Sequence, residues 1–216
     1  MKRSKSGRAW MHQHVSDPFV KLAQKEGYRS RAAYKLLEIQ RRERMIRPAS
    51  LVVDLGASPG GWSQVAAKLV GGGGRVLAID LLPMAALPGV EFLQADFALE
   101  EGLAVLEGLL QKRRADLVMS DMAPNLSGIV GADQARHYEL AELALDFARQ
   151  HLQPQGIFLV KAFHGEGYEA FRAEMARTFQ RVAGLKPDAS RHRSREIYLL
   201  GKSLRKSSGA DGFNLE

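Results

Sequence analysis

The sequence predicts an α/β fold with a largely parallel β-sheet. Apolar segments of strand length alternate with longer amphipathic segments across residues 51–201, a pattern typical of a sheet covered by helices. Acidic residues and one lysine stand where the first five strands end, and sheets of this kind bind ligands at that edge. No internal repeat or second domain is visible. We therefore expect a single domain with its site at the carboxyl ends of the strands.

Hydrophobic periodicity and turn residues predict the individual elements. The predicted strands are 51–53, 75–80, 90–93, 115–120, 156–160, 181–185 and 196–201. The predicted helices are 18–27, 30–45, 62–70, 98–111, 135–152 and 167–179, and the Gly-rich residues 126–134 are expected to form a mobile loop. In helix 30–45, Ser30 is the expected N-cap and Lys35 lies on the flank of the expected buried face, which is Ala33, Leu36 and Leu37.

The first strand leads into a glycine-rich turn that indicates a nucleotide-like ligand. Gly56, Pro59, Gly60 and Gly61 follow Asp54 and precede a helix, so backbone N–H groups can approach a ligand there. The spacing is neither the G-x-G-x-x-G of a dinucleotide site nor a Walker loop with its lysine. Asp54 would repel a phosphate but can accept a hydrogen bond from an amino group. The turn resembles the first motif of S-adenosylmethionine (SAM) methyltransferases, whose ligand has a zwitterionic methionine end and no phosphate, and a glycine-rich turn of another doubly wound protein stays open.

Charge is unevenly distributed along the 216 residues, which carry a net charge of +7. Residues 1–50 contain 13 basic residues (Lys or Arg) and 4 acidic residues (Asp or Glu). Residues 51–180 contain 10 basic and 16 acidic residues, and residues 181–216 contain 8 basic and 4 acidic residues. Basic segments at both ends of an acidic body favour a polyanion, namely nucleic acid, as the partner. We expect phosphate contacts from Arg29 and Arg31 and from the basic residues of 1–25 and 186–195.

Other features of the sequence limit the class of protein to which it can belong. Trp10, Tyr28 and Tyr34 could stack on bases, with packing inside the protein as the alternative. His12 and His14 have no Cys or carboxylate beside them, so they form a poor metal site and are expected to be surface residues or RNA contacts. The chain has no cysteine, no apolar run of the ~20 residues that span a membrane and no export-signal core. We therefore expect a cytoplasmic protein.

Polar residues at the strand ends are the candidates for chemistry. Asp80 ends the second strand, where an acid binds the ribose hydroxyls of a nucleoside. Asp96 follows the third strand and is a candidate for the adenine amino group. Asp121 and Lys161 end the fourth and fifth strands. Because a buried charge needs a partner, a purely structural ion pair of Lys161 with Asp121 or Glu196 is the alternative to catalysis.

Two further residues reach the same edge if the chain packs as methyltransferase sheets do. Glu196 begins the last strand, and the start of that strand meets this edge if it runs antiparallel to the others. Lys35 meets it if the N-terminal helix packs across it. With Asp121 and Lys161 they would form one polar cluster.

Six separated blocks of the chain resemble the FtsJ/RrmJ family of heat-shock ribosomal RNA 2′-O-ribose methyltransferases. The likeness spans about residues 16–202, and the blocks are 17–21, 27–39, 54–62, 120–125, 160–161 and 186–196. By this resemblance, the family's Lys-Asp-Lys-Glu catalytic set falls on Lys35, Asp121, Lys161 and Glu196. Its SAM contacts fall on Gly60, Trp62, Asp80, Asp96 and Asp121.

The resemblance also implies an architecture. The expected fold is a Rossmann-like SAM-dependent methyltransferase fold, with a seven-stranded, mostly parallel sheet and an antiparallel last strand. Residues 1–28 would be a basic extension, residues 29–202 the methyltransferase domain and residues 203–216 a disordered tail. SAM is the expected cofactor, no metal or membrane is expected, and the protein is expected to be a monomer.

The activity implied by the resemblance is methylation of a uridine ribose 2′-hydroxyl in 23S ribosomal RNA, on the assembled large (50S) subunit, during ribosome maturation. Lys161 is the expected general base or hydroxyl-orienting group, with Asp121 and Glu196 holding it in position. Alignment of the hydroxyl oxygen, methyl carbon and sulfur should supply much of the rate. Two alternatives remain: a non-catalytic RNA-binding ribosome-assembly factor with this fold, and an NAD-dependent oxidoreductase, which the missing G-x-G-x-x-G disfavours.

Overall fold

One seven-stranded sheet forms the centre of the protein, of which the computed structural model describes residues 17–125, 127–190 and 194–206. The strands are β1 (Leu51–Leu55), β2 (Arg75–Asp80), β3 (Val90–Gln94), β4 (Ala115–Ser120), β5 (Leu152–Phe163), β6 (Phe179–Leu185) and β7 (Glu196–Leu204). Their order is β3-β2-β1-β4-β5-β7-β6, and β7 alone runs opposite to the other six strands. The mostly parallel α/β sheet with an antiparallel last strand is confirmed.

Helices cover both faces of this sheet. Those in the described residues are α1 (Pro18–Glu26), α2 (Ala32–Glu43), α3 (Gly61–Val70), α4 (Glu100–Leu110), α5 (Val130–His151) and α6 (Tyr168–Thr178). Buried residues of α2 and α3 pack with one face of the sheet, and those of α4, α5 and α6 pack with the other. Within these residues, no helix is long and apolar enough to cross a membrane.

Strand β1 illustrates how the sheet is built. All five of its residues are buried. Leu51, Val53 and Leu55 belong to the core on the α4–α6 side, whereas Val52 belongs to the core on the α2–α3 side. A parallel strand covered on both faces needs such a continuous apolar run. The carboxyl end of β1 delivers Asp54 and the glycine-rich turn to the edge where β2 and β4 also end.

Helix α5 begins at Val130, inside the segment that the sequence predicts to be a loop. The Asp133 carboxylate accepts hydrogen bonds from the N–H and the hydroxyl of Ser127, at 2.7 and 2.6 Å, and from the N–H of Gly128 at 3.0 Å. These bonds lower the pKa of Asp133 and tie the preceding loop to the first turn of the helix. The predicted start at residue 135 is therefore wrong.

Strand β5 is longer than predicted, and this changes the position of Lys161. The parallel pairing of β5 with β4 ends at Ser120 and Val160. The antiparallel pairing with β7 continues until Phe163 lies opposite Glu196. Lys161 therefore lies inside β5, one residue beyond its pairing with β4, and does not follow the end of the strand.

Two smaller corrections concern α2 and the C-terminal end. Arg31, not Ser30, is the N-cap residue of α2, and it makes no side-chain cap bond. The fully buried positions of α2 are Ala33, Leu36 and Ile39, whereas Leu37 is only partly buried. Strand β7 continues to Leu204, so residues 203 and 204 of the predicted tail belong to the sheet. The remaining tail from 207 to 216 lies outside the described residues.

Candidate active site

A continuous chain of polar side chains lies at the carboxyl edge of the sheet. Lys35 Nζ lies 2.6 Å from Glu196 Oε1 and donates to the Tyr198 hydroxyl at 3.2 Å. The Tyr198 hydroxyl donates to Asp121 Oδ1 at 2.9 Å, and the same oxygen lies 3.1 Å from Lys161 Nζ. Lys161 also donates to the backbone carbonyl of Asp121. The structure thus brings together all four members of the predicted catalytic set, with Tyr198 between them.

Strand register explains why these side chains meet. Lys161 on β5 and Tyr198 on β7 are directly paired residues, so their side chains leave the same face of the sheet. Glu196 lies two residues before Tyr198 and shares that face by the two-residue period of a strand. Asp121 follows β4, the other neighbour of β5. Lys35 comes from α2, which packs over this face.

The two lysines keep Asp121 ionised. Burial alone would raise the pKa of this carboxyl, but the charges of Lys161 and Lys35 and the hydrogen bond from Tyr198 hold it below its ordinary value. Burial, together with the negative charges of Asp121 and Glu196, raises the pKa of Tyr198 well above its usual range. Tyr198 is therefore a neutral donor throughout the physiological pH range, and Asp121 is an acceptor with a negative charge.

Helix α5 supports the part of β5 that carries Lys161. Because the pairing with β4 ends before this point, the carbonyl groups at the end of β5 need other donors on that side. His137 Nε2–H donates to the Lys161 carbonyl at 3.0 Å, and the Tyr138 hydroxyl donates to the Phe163 carbonyl at 2.6 Å. Burial and the charge of Lys161 lower the pKa of His137 to about 4. A neutral His137 is therefore a built-in support of the Lys161 backbone.

The glycine-rich turn lies directly against the loop after β4. Gly56 has φ +77°, and a Cβ there would lie 2.6 Å from Met122 Cγ and 3.0 Å from the Met122 backbone nitrogen. Only glycine permits both this conformation and this approach. Gly60, with φ +106°, is the N-cap of α3, whose first N–H groups lack partners within the helix. The turn therefore leads from the end of β1 into the N-terminus of α3, and at Gly56 it lies against Met122, the residue after Asp121.

Asp54 is a buried acid with one unused oxygen. Its Oδ2 accepts a hydrogen bond from the Ser63 hydroxyl at 2.5 Å, whereas Oδ1 has no hydrogen-bond partner among the described residues. Burial, then the charges of Asp121 and Asp80, raise its pKa to about 7. A ligand with a cationic end would satisfy this oxygen. The orphaned acceptor beside the glycine turn therefore fits a ligand such as SAM.

The two predicted nucleoside contacts end neighbouring strands. Asp80 ends β2, and its carboxylate accepts from the backbone N–H groups of Ser58 and Leu82, each at 2.8 Å. Asp96 follows β3 and accepts from the N–H of Ala98 at 2.9 Å. Both carboxylates keep further lone pairs for hydroxyl or amino groups. Their spacing along the edge, one strand apart, suits the ribose and the adenine of one nucleoside.

Trp62, the remaining predicted SAM contact, turns its side chain into the protein. Its indole N–H donates to the Ala32 carbonyl at 2.9 Å, its ring centre lies 5.5 Å from that of Tyr198, and the residue is buried. A cofactor contact would therefore come from its backbone N–H, in the first turn of α3. The indole itself links the glycine turn to α2 and to the Tyr198 ring.

Arg29 and Arg31, the predicted phosphate contacts, both make hydrogen bonds within the protein. Arg31 donates to the Asp17 carboxylate and to the Ala189 carbonyl. The Arg29 guanidinium donates to three backbone carbonyls. Whether an arginine is displayed or partnered depends on the tertiary structure, so the charge pattern could not predict these contacts.

The described aromatic candidates for stacking are packed. Tyr34 lies 5.6 Å from Phe19 and 5.5 Å from Tyr28 between ring centres, and its hydroxyl donates to Glu26. Lys68 Nζ lies 4.6 Å from the centre of the Tyr28 ring. Packing, the alternative interpretation of both tyrosines, therefore describes them. Trp10, His12, His14 and residues 191–193 lie outside the described residues.

An open cavity of about 250 Å³ adjoins the Lys35–Glu196 pair. Arg31, Ala32, Lys35, Ser194 and Glu196 line it, so its wall is polar and carries both signs of charge. Groups of three or more acids or histidines that could hold a metal ion are absent from residues 17–125, 127–190 and 194–206. The cavity therefore suits a polar, sugar-like group.

Sequence reasoning missed Tyr198 and His137. Tyr198 lies in an apolar strand, but it is two residues after Glu196, so the strand period places it beside a candidate residue. That signal was available. His137 lies on the buried face of α5 among apolar residues, and nothing in its local sequence distinguishes it from a core histidine.

Comparison with known proteins identifies relatives along most of the chain. Residues 28–204 match the family model of FtsJ-like methyltransferases. The chain is 62% identical over 201 residues to a ribosomal RNA large subunit methyltransferase E from Thiobacillus denitrificans, covering 93% of this chain and 91% of that protein. It is 57% identical over 203 residues to a protein of the same name from Neisseria meningitidis, with 94% and 98% covered.

Solved structures agree with this result. A protein described as a ribosomal RNA methyltransferase, from Plasmodium falciparum, has a TM-score of 0.71 at 28% identity, over 82% of this chain and 98% of that chain. A protein described as an rRNA methylase, from Clostridium thermocellum, has a TM-score of 0.52 at 16% identity, over 79% and 97%. At that identity the second likeness concerns the fold alone.

Proposed function

The chain belongs to the FtsJ-like methyltransferase family, and on this premise we propose that it methylates large-subunit ribosomal RNA. The proposed acceptor is a uridine ribose 2′-hydroxyl of 23S ribosomal RNA in the assembled large subunit, and the proposed donor is SAM. The activity is assigned to residues 29–202, with residues 1–28 as a basic extension. The protein is proposed to act as a cytoplasmic monomer during ribosome maturation.

One observation carries this proposal. The chain of contacts from Glu196 through Lys35, Tyr198 and Asp121 to Lys161 lies directly beside the glycine turn at the end of β1. A structural ion pair would need only one lysine and one acid. Two lysines, two acids and a tyrosine around one open edge instead form a site that can orient a hydroxyl group and control its proton.

The chain's own residues suit SAM as donor. When bound, SAM supplies a methyl group activated by its positively charged sulfur. We assign the ribose hydroxyls to Asp80 and the adenine amino group to Asp96. The methionine end is assigned to the acids Asp54 and Asp121 for the ammonium group and to the turn at Gly60 with the Trp62 N–H for the carboxylate.

Lys161 is assigned to the acceptor hydroxyl. Two of its donor interactions already go to Asp121, one to the carboxylate and one to the backbone carbonyl, which fixes the direction of the remaining position on Nζ. That position is assigned to holding the 2′-hydroxyl. As an ammonium, Lys161 would donate to the hydroxyl oxygen there, whereas only the neutral amine would carry the lone pair that takes the proton as the oxygen–methyl bond forms and the methyl–sulfur bond breaks. Lys35 and Glu196, at the neighbouring cavity, are assigned to orienting the ribose. Holding the hydroxyl in line is expected to supply much of the rate.

The experiment is transfer of labelled methyl from SAM to purified large subunits and, separately, to naked ribosomal RNA. Alkaline hydrolysis then maps the label, because a 2′-O-methylated linkage resists cleavage. Label in an alkali-stable dinucleotide supports ribose methylation, and label on subunits alone supports a late step of assembly. Absence of transfer to either substrate, with SAM bound, would contradict the proposal and favour a non-catalytic RNA-binding assembly factor.

A further inference from the structure

Arg29 joins the glycine turn to the segment between β2 and β3. Its Nη1 donates to the carbonyls of Pro59, at 3.2 Å, and Ala85, at 2.6 Å, and its Nη2 donates to the carbonyl of Ala86 at 2.7 Å. Pro59 belongs to the turn after β1, whereas Ala85 and Ala86 lie between β2 and β3. One guanidinium therefore bridges two separate segments through three backbone acceptors, a geometry that the planar fork of arginine allows.

The same two segments are joined a second time by Asp80. Its carboxylate accepts from Ser58 N in the turn and from Leu82 N in the β2–β3 segment. The Ser58 hydroxyl also donates to the Pro83 carbonyl at 3.2 Å. Arg29 and Asp80 thus hold segment 81–87 against the glycine turn from two sides.

The fit between these parts is close at Gly60. A Cβ at Gly60 would lie 2.8 Å from Met84 Sδ, 2.9 Å from Leu87 Cδ1 and 3.1 Å from Arg29 Nη1. The turn, segment 81–87 and the guanidinium are therefore packed together. Any shift of segment 81–87 would move the surroundings of both Gly60 and Asp80, which are assigned to the cofactor.

Arg29 is itself anchored to the helix that follows the turn. Its backbone N–H donates to Gln64 Oε1 at 3.1 Å, and Gln64 Nε2 donates to the Gly27 carbonyl at 2.8 Å. Gln64 lies on α3, whose N-terminus is the glycine turn. The base of the Arg29 side chain and its three acceptors therefore belong to one connected unit around the cofactor site.

We propose that Arg29 is a positioning residue of the SAM site: it shapes the site by holding segment 81–87 against the glycine turn. On this proposal Arg29 is not an RNA phosphate contact. This inference rests on the proposed use of SAM. Three of the five N–H groups of Arg29, including both on Nη1, are committed to backbone carbonyls, so a phosphate could not use Nη1 without displacing one of these bonds. The affinity for SAM, rather than the affinity for RNA, should therefore depend on this guanidinium.

The test is the Arg29→Lys variant, which keeps the positive charge but replaces the planar fork of two donating nitrogens by a single nitrogen, so the three bonds cannot keep their geometry. SAM affinity is measured by calorimetry, and RNA affinity is measured over a series of salt concentrations. We expect SAM to bind about tenfold more weakly, as for the removal of one or two good hydrogen bonds, and the salt dependence of RNA binding to stay unchanged. Amide hydrogen exchange in residues 81–87 should also become faster, which keeps the test decisive if affinity is difficult to measure.

Arg114→Lys is the matched control. Arg114 also donates to two backbone carbonyls, those of Gln150 at 3.2 Å and Leu152 at 2.9 Å, but it lies at the amino end of β4. Its variant should lose stability without a change in SAM affinity.

Two results would overturn the inference. SAM affinity in Arg29→Lys equal to that of the wild type would remove the positioning role, as would a loss confined to RNA binding in Arg29→Ala. If the wild-type protein itself fails to bind SAM, the proposed function fails and this inference falls with it. If the wild-type protein binds SAM and Arg29→Lys binds it equally well, this inference fails but the proposed function is unaffected.

Discussion

The hydroxyl of Tyr198 and the carboxylate of Asp121 are 2.9 Å apart, and this bond connects the two lysines of the candidate site. Lys161 approaches Asp121 from β5, while Lys35 reaches the Tyr198 hydroxyl from α2. The tyrosine therefore receives a hydrogen bond from one lysine and donates one to the carboxylate that holds the other. The positions of both cations depend on one buried strand residue.

Tyr198→Phe removes this link while keeping the ring that packs on Trp62. We expect the methyl-transfer rate to fall about fivefold, corresponding to ~1 kcal/mol for one hydrogen bond. Because the hydroxyl helps to lower the pKa of Asp121, the acidic limb of the pH–rate profile should move to higher pH. A reduced rate with an unmoved acidic limb would mean that the hydroxyl contributes packing alone.

Asp54→Asn should stabilise the free protein and weaken its binding of SAM. The pKa of Asp54 is raised to about 7, so the folded state holds a proton that the unfolded state releases above pH ~4. The wild-type protein therefore loses up to about 4 kcal/mol of stability as the pH rises from 4 to 7, and the variant does not. Urea unfolding at several pH values tests this, with calorimetry for SAM.

Asp146→Asn is the control for this prediction, because Asp146 is an exposed residue of α5 paired with Arg149. Its effect on the pH dependence of stability should be small. If Asp54→Asn had the same pH slope as the wild type, the assignment of the orphaned buried carboxyl would be wrong.

His137 should produce the opposite pH dependence. Its pKa is lowered to about 4 by burial and by Lys161, so below pH ~6.5 the unfolded state takes up a proton that the folded state refuses. The folded protein then loses about 3 kcal/mol as the pH falls from 6.5 to 4. His137→Gln, which has no such titration, should remove this loss in acid unfolding experiments.

His151→Gln provides a matched comparison on the same helix. His151 lies at the end of α5, 3.0 Å from Glu107 and partly exposed. An acid sensitivity that persisted in His137→Gln but disappeared in His151→Gln would contradict the role assigned to the buried histidine.

Lys21 and Lys25 are exposed on α1 and belong to the basic segment predicted to contact RNA. Replacing both by Ala should reduce the slope of log affinity against log salt by about 1.4, at ~0.7 for each phosphate of a single strand that a lysine no longer neutralises. SAM affinity should not change. Filter binding at several salt concentrations measures the slope. An unchanged slope would remove α1 from the RNA surface.

Lys112→Ala/Arg113→Ala makes the same change in net charge at the amino edge of the sheet, where both residues are exposed. This control should leave the slope nearly unchanged. It separates direct phosphate contacts from the general field of a basic protein, which falls off over ~10 Å at moderate salt.

The sequence predicted which residues lie at the carboxyl ends of the strands better than it predicted which side chains from α2 and β7 reach them. Asp80, Asp96 and Asp121 could be placed because strand periodicity fixes where parallel strands end. The approach of Lys35 and Glu196 depends on the packing of α2 and on the direction of β7, which are long-range features, and only the resemblance to a known family supplied them. The position of Lys161 was misjudged because β5 continues beyond β4 to pair with β7.

The roles of Arg29 and His137 could not be predicted from the sequence for a different reason. Arg29 carries the same charge as an arginine that binds phosphate, and only the fold shows that the carbonyls of Pro59, Ala85 and Ala86 occupy three of its five donors. His137 follows the pattern of an ordinary core residue. In both cases the partner lies far away in the sequence, so local pattern carries no information about it.

The most direct test of the assigned chemistry is single-turnover methyl transfer by Lys161→Ala at saturating SAM, with SAM affinity measured on the same protein. We expect the rate to fall by about 10²–10⁴, the range for removal of an acid–base group, while SAM affinity stays within a few-fold of the wild type. Lys68→Ala, which removes an exposed lysine of α3, should behave like the wild type. A Lys161→Ala rate close to the wild-type rate, or a parallel loss of SAM affinity, would contradict the central assignment of Lys161 to the acceptor hydroxyl.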